Sequence, residues 1–77
     1  MTNAENQIGA DPSLLLVDDD EAFLRRLGRA MEKRGFDVAM SETVAEGIKL
    51  AREKPPAYAV VDLRLNDGNG LDVVEAL

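Results

Sequence analysis

The chain has 77 residues, enough for one small domain in which only roughly 60–65% of the unfolded surface is buried on folding. Its formal net charge is −6, which argues against a direct grip on nucleic acid, because phosphate backbones are held by concentrated Lys and Arg. A bound cation or a basic protein partner fits that charge better. Cysteine and histidine are both absent, so disulfides, zinc fingers and Cys or His nucleophiles are excluded. Residues 1–12 lack the basic start and apolar run of a signal peptide, and no apolar stretch approaches the ~20 residues of a membrane span. The expected location is the cytoplasm.

Residues 1–12 read as a flexible polar tail that ends in an Asp11-Pro12 turn signal. Leu14-Leu15-Leu16-Val17 follows, an unbroken apolar run that stops at Asp18-Asp19-Asp20. Such a run suits a strand buried on both faces of a parallel sheet. From Glu21 to Arg34 the period becomes helical. Phe23, Leu24, Leu27, Ala30 and Met31 share one face, acids lead the segment and bases close it, and Gly35 is placed to cap its end. Phe36-Asp37-Val38-Ala39-Met40 has its larger apolar residues at alternate positions, as in a half-exposed edge strand.

Thr43 with Glu46 matches a capping box, with Ser41 as a competing cap. Val44, Ala45, Ile48 and Ala51 give a second helix, which Pro55-Pro56 stops. Tyr58-Ala59-Val60-Val61 is a second buried-strand run, again ending on an aspartate, Asp62. Asn66-Asp67-Gly68-Asn69-Gly70 reads as a loop, and Leu71, Val74 and Leu77 open a third amphipathic helix. Strand–helix alternation of this kind implies βαβ units, right-handed crossovers and a parallel sheet.

In open parallel α/β sheets the functional crevice lies beyond the carboxyl ends of the strands. Both buried runs end there in acid, Asp18-Asp19 after the first and Asp62 after the third. If those strands are neighbours, three carboxylates converge. A hard cation such as Mg²⁺, which takes a few carboxylate oxygens plus water and phosphate, relieves their repulsion. It would also screen an attacking carboxylate from an incoming phosphoryl group. A single Asp after a strand is usually a cap or turn former, and Asp20 suits that role at the start of the first helix. Caps alone account poorly for Asp18, Asp19 and Asp62 together.

Those residues carry a resemblance. Leu14-Leu15-Leu16-Val17-Asp18-Asp19-Asp20 resembles the first strand and acidic loop of response-regulator receiver domains, and Val60-Val61-Asp62-Leu63-Arg64-Leu65 with Gly70 resembles their phosphorylation-site strand and loop. Asp62 lies 44 residues after Asp18 and 43 after Asp19, a separation typical of that family. Many receivers have Met-Pro where this chain has Leu65-Asn66. The run from Asp62 to Asp72, with Ala-Tyr-Ala-Val-Val-Asp after Pro55-Pro56, instead resembles the RegA/PrrA/ActR type of redox and photosynthesis regulators.

The resemblance implies a flavodoxin-like (CheY-like), doubly wound α/β fold of strand order 2-1-3-4-5. Residues 13–77 would supply its N-terminal portion, through the third strand and the start of the third helix. It implies Asp62 as phosphoacceptor, Asp18 and Asp19 as Mg²⁺ ligands, one direct and one largely through water, and the Arg64 backbone carbonyl as a further ligand. A sensor histidine kinase would be the phosphoryl donor, and control of transcription would run through a helix-turn-helix domain outside this segment. The resemblance does not make the chain an enzyme.

Other readings remain. Asp18 and Asp20 have the D-x-D spacing of haloacid-dehalogenase-like phosphatases, although Glu21-Ala22 follows where Gly-Thr is usual. An interaction-only fragment with vestigial acids is a further reading. A nucleotide-binding βαβ unit is disfavoured, because no Gly-rich loop follows the first strand. The third strand lacks a partner on one edge within this segment, so self-association or a dimer through Tyr58–Val61 is expected.

Overall fold

In the computed structural model, which describes residues 9–77, the apolar run ahead of the aspartates forms β1 (Ser13–Val17), buried from Leu14 to Val17. The first eight residues of the expected tail lie outside the described residues. β1 is the middle strand of a parallel sheet of order β2-β1-β3, between β2 (Asp37–Ser41) and β3 (Tyr58–Val61). Only a middle strand has both edges paired and both faces covered, which is why β1 alone tolerates four consecutive large apolar residues. The pleat sends its side chains alternately to the two faces. Leu14 and Leu16 join Leu24 on one side, while Leu15 and Val17 join Val44, Ala51, Leu65 and Val73 on the other.

Helix α1 (Glu21–Lys33) covers the first face, and α2 (Val44–Glu53) and α3 (Leu71–Ala76) cover the second. The β1-to-β2 and β2-to-β3 connections run in opposite directions across the sheet. A common crossover hand therefore requires their helices on opposite faces. Asp20 is the N-cap of α1, its carboxylate accepting from the Phe23 N–H at 3.1 Å. The other end closes at Gly35, whose φ of 97° only glycine adopts freely. There the Gly35 N–H donates to the Glu32 carbonyl and the Phe36 N–H to the Met31 carbonyl, the paired bonds of a Schellman stop. Thr43 is the N-cap of α2, accepting from the Glu46 N–H at 3.1 Å. Ser41 instead ends β2 as a buried residue, its hydroxyl donating to the Thr43 carbonyl and accepting from the Thr43 N–H.

Four expectations are corrected. Phe23 is 42% exposed, because α1 lies over β1 and β2 and does not extend over β3. β3 is exposed rather than buried, with Val60 at 52%; among the described residues its second edge is unpaired, and on the α1 side Phe36 packs edge-on against Tyr58 while Val60 stays open. The segment expected as a loop holds a two-stranded antiparallel hairpin, β4 (Arg64–Leu65) and β5 (Gly68–Asn69). Finally, α3 buries Val73 and half-buries Ala76, while Leu71, Val74 and Leu77 face outward. Val73 takes the inner position because α3 docks where Gly47 leaves space: a Cβ there would lie 3.0 Å from a Val73 methyl and 3.3 Å from a Val17 methyl.

Two glycine substitutions separate propensity from packing. Gly→Ala in a helix gains up to about 1 kcal/mol. At Gly28 the added methyl meets the Met40 sulfur at 2.9 Å, the end of a flexible, half-exposed side chain that yields cheaply. At Gly47 it meets two side chains fixed in the core, where overpacking costs about 1–3 kcal/mol. Thermal melts are expected to show Gly28→Ala raising Tm by several degrees, at about 4–8 °C per kcal/mol, and Gly47→Ala lowering it. Independently, the open β3 edge predicts concentration-dependent association of the isolated 77-residue polypeptide in sedimentation experiments, relieved by Val60→Lys. A monomer that unfolds cooperatively at all concentrations would refute this.

Candidate functional site

Two backbone hydrogen bonds extend the sheet one step past its strands. The Asp18 N–H donates to the Ser41 carbonyl at 3.0 Å, and the Asp62 N–H donates to the Val17 carbonyl at 2.8 Å. They fix Asp18 and Asp62 at the carboxyl ends of adjacent strands, beside the point where the order β2-β1-β3 reverses direction. Asp18, Asp19 and Asp62 each bring a carboxylate oxygen within 4.8 Å of the others, and all three residues are half-buried. The sequence expectation that these acids converge is met in the geometry. Asp20 stands outside the group, engaged as the α1 cap, which removes the second acid of the D-x-D reading from the cluster.

Each of the two strand-end acids is oriented by its own turn. One Asp18 oxygen accepts from the Asp20 N–H at 2.9 Å, and one Asp62 oxygen accepts from the Arg64 N–H at 3.1 Å. Asx turns of this kind use one oxygen to hold the carboxylate and leave the other free of protein donors among the described residues. Three hard oxygen donors at these separations suit a small divalent cation bound directly by some acids and through water by others. Among the described residues, no Lys or Arg forms an ion pair with any of the three. The residues present therefore fit Mg²⁺. Arg64 contributes its backbone N–H to Asp62, and its side chain is exposed.

Two further residues shape the site: Gly70, which the resemblance already places in its loop, and Asp67, which sequence reasoning read only as part of a turn. Gly70 is buried, and a Cβ at that position would collide with the Asp62 backbone carbonyl; the chain can fold back past the acid only without a side chain there. Asp67, at the turn of the hairpin, reaches 23 residues back: its carboxylate accepts from the Val44 N–H at 2.8 Å and the Ala45 N–H at 3.2 Å. The Asn-Asp-Gly-Asn-Gly composition signals a turn, but the long-range cap has no local signature.

Comparison with known proteins gives the class first. A crystal structure of a signal receiver domain from Vibrio parahaemolyticus superposes with a TM-score of 0.77 at 26% identity, over 84% of this chain and 50% of that one. Residues 14–77 match the response regulator receiver domain, and the chain belongs to that family. It is 70% identical over its full length to the photosynthetic apparatus regulatory protein RegA of Rhodovulum sulfidophilum. It is 67% identical, over 91% of its length, to the acid tolerance regulatory protein ActR of Rhizobium meliloti. The chain spans 42% of the first relative and 36% of the second. Among the described residues, no helix is long and apolar enough to cross a membrane.

The Val44 N–H, and after it the Ala45 N–H, holds the Asp67 carboxyl below its ordinary value of 3.8. A carboxyl depressed on folding contributes stability above its unfolded pKa and loses it as pH falls through the folded value. The Tm advantage of the wild-type protein over Asp67→Asn is therefore expected to be full at pH 6–7 (roughly two units or more above the carboxylate range). It should shrink as pH drops below 3.8. A gap constant from neutral to acid pH would show that the charge of Asp67 contributes nothing.

Proposed function

We propose that this chain is the phosphoacceptor portion of the receiver of a RegA/ActR-type two-component response regulator, and that Asp62 takes the phosphoryl group. The observation that carries the reading is the meeting of Asp18, Asp19 and Asp62 at the ends of β1 and β3. A sensor histidine kinase is the donor. The oxygen of Asp62 not engaged by the Arg64 N–H attacks phosphorus, an acyl-phosphate P–O bond forms, and the P–N bond to the kinase's histidine breaks with the imidazole as leaving group. The Arg64 N–H, by holding the first oxygen, fixes the rotamer from which the second attacks.

Asp18 and Asp19, with Asp62 and the backbone carbonyl of Arg64, would hold Mg²⁺. When bound, the ion supplies charge neutralisation between the acidic cluster and the phosphoryl oxygens. Asp18 and Asp62 present their carboxylates from backbone positions set by the sheet, so the cluster exists before any donor arrives.

On this reading the chain is a substrate of phosphorylation in the cytoplasm rather than an enzyme with an external substrate. It works on transcription through a DNA-binding region outside this segment, and does not itself contact DNA. Incubation of the intact protein with a small acyl-phosphate donor and Mg²⁺, followed by mapping of the labelled residue, tests it. Label on Asp62 is expected, lost with chelator and in Asp62→Asn, and reduced on the order of tenfold or more in Asp19→Asn. Label on Asp18 instead would favour the haloacid-dehalogenase-like reading. Absence of both label and Mg²⁺ binding in a folded protein would favour an interaction-only role.

A further inference from the structure

The hairpin that follows Asp62 needs an anchor. Its strands, Arg64–Leu65 and Gly68–Asn69, are two residues each, and a two-stranded hairpin of any length is marginal by itself. Leu65 ties its near end into the core, but its turn reaches the body of the protein through Asp67. Both oxygens of that carboxylate are used, one on the Val44 N–H and one on the Ala45 N–H. Those are the first two N–H groups of α2, which have no intrahelical partner. The third, at Glu46, is taken by Thr43. The contact is charge-assisted and lies at the positive end of a helix dipole.

What the hairpin touches is the acceptor. Arg64 gives its N–H to Asp62, and Gly70 closes the segment against the Asp62 carbonyl. Followed through its bonds, the site is a ring. Asp62 is bonded to Val17 and Asp18 to Ser41, β2 leads into α2, Val44 is bonded to Asp67, and the hairpin returns to Arg64 and Asp62. Cutting the Val44–Asp67 link opens that ring between α2 and the hairpin.

We propose that Asp67 is a positioning residue for Asp62, clamping the hairpin onto α2 so that the Arg64 N–H holds the acceptor carboxylate in its reactive rotamer. The proposal rests on Asp62 being the acceptor, and Asp67 itself touches neither the phosphoryl group nor the cation.

The test compares wild type, Asp67→Ala, Asp67→Asn and Thr43→Ala in the intact protein. The last removes a different cap from the same helix without touching the hairpin. Three quantities are read well below every melting temperature: the rate of acyl-phosphate labelling at saturating Mg²⁺, the Mg²⁺ concentration for half-maximal effect, and hydrogen exchange at the Arg64 amide. Asp67→Ala is expected to slow labelling on the order of tenfold, to raise the Mg²⁺ requirement and to speed exchange at Arg64. Asp67→Asn, which keeps one acceptor oxygen and folds if Asp67→Ala does not, should fall between it and wild type. Thr43→Ala should lower Tm while leaving all three quantities at wild-type values.

If wild type labels on Asp62 and the Asp67 variants match it in rate, Mg²⁺ requirement and exchange, the positioning role is overturned and the acceptor reading stands. Equal effects of Thr43→Ala and Asp67→Ala would likewise overturn it, in favour of general stabilisation of α2. Failure of wild type to label on Asp62 would overturn the acceptor reading and the inference together.

Discussion

The pairing of β1 with β3, Leu16 opposite Val60 and Val17 opposite Val61, is the constraint on which the rest depends. Strand side chains alternate between faces, so a slip of one residue would send Val61 to the α1 side and move Asp62 off the end of β1. What prevents the slip is burial on the α2–α3 side. Val61 packs against the cluster that holds Val17, Leu65 and Val73, and Val60, on the other side, has little to lose. The register is thus held by one face of β3, and that face belongs to the same core that seats the hairpin through Leu65. Core packing and the position of Asp62 are two consequences of one fit.

The acids are costly in this setting. Three carboxylates within 4.8 Å repel one another, and half-burial weakens the screening that water would supply. The local geometry aggravates the repulsion, since the Asx turns of Asp18 and Asp62 hold these groups in place instead of letting them swing into solvent. By contrast, the remaining acids near the site are satisfied: Asp20 caps α1 and Asp67 caps α2. Five aspartates thereby divide into two whose charge is complemented by helix dipoles, Asp20 and Asp67, and three, Asp18, Asp19 and Asp62, with no protein cation paired to them among the described residues.

Much of this was legible in the sequence, and the pattern of success is physical. β1, α1 and its caps could be read because their signals are local: an unbroken apolar run, a 3.6-residue period, Asp20 ahead and Gly35 behind. The convergence of Asp18, Asp19 and Asp62 needed only one added premise, that the first and third strands are neighbours. Misreadings arose where a partner lies elsewhere. Val60 and Tyr58 look buried by composition, but burial depends on what covers them. In the third helix, Leu71, Val74 and Leu77 are as apolar as Val73, and the space left by Gly47 decides which of them turns inward. The Asp67 cap spans 23 residues, and nothing in its neighbourhood announces α2.

Exposure of apolar side chains is concentrated around one strand. Val60 and Phe23 lie on the α1 side of β3, while Leu71, Val74 and Leu77 mark the outer surface of α3 on the other side. Apolar surface on both sides of a strand, with an unpaired edge between them, is the cross-section of a layered α/β sheet seen from its open end. None of that surface takes part in placing the acids. The bonds that do so run from Val17 and Ser41 through α2 and the hairpin to Asp62, all within residues 17–70. The part of the sheet that fixes the carboxylates and the part left uncovered among the described residues are therefore distinct, and they meet at β3. The Asp62 carboxylate is bonded to the Arg64 N–H, and the hairpin that carries Arg64 reaches, through Leu65, the core beneath α3.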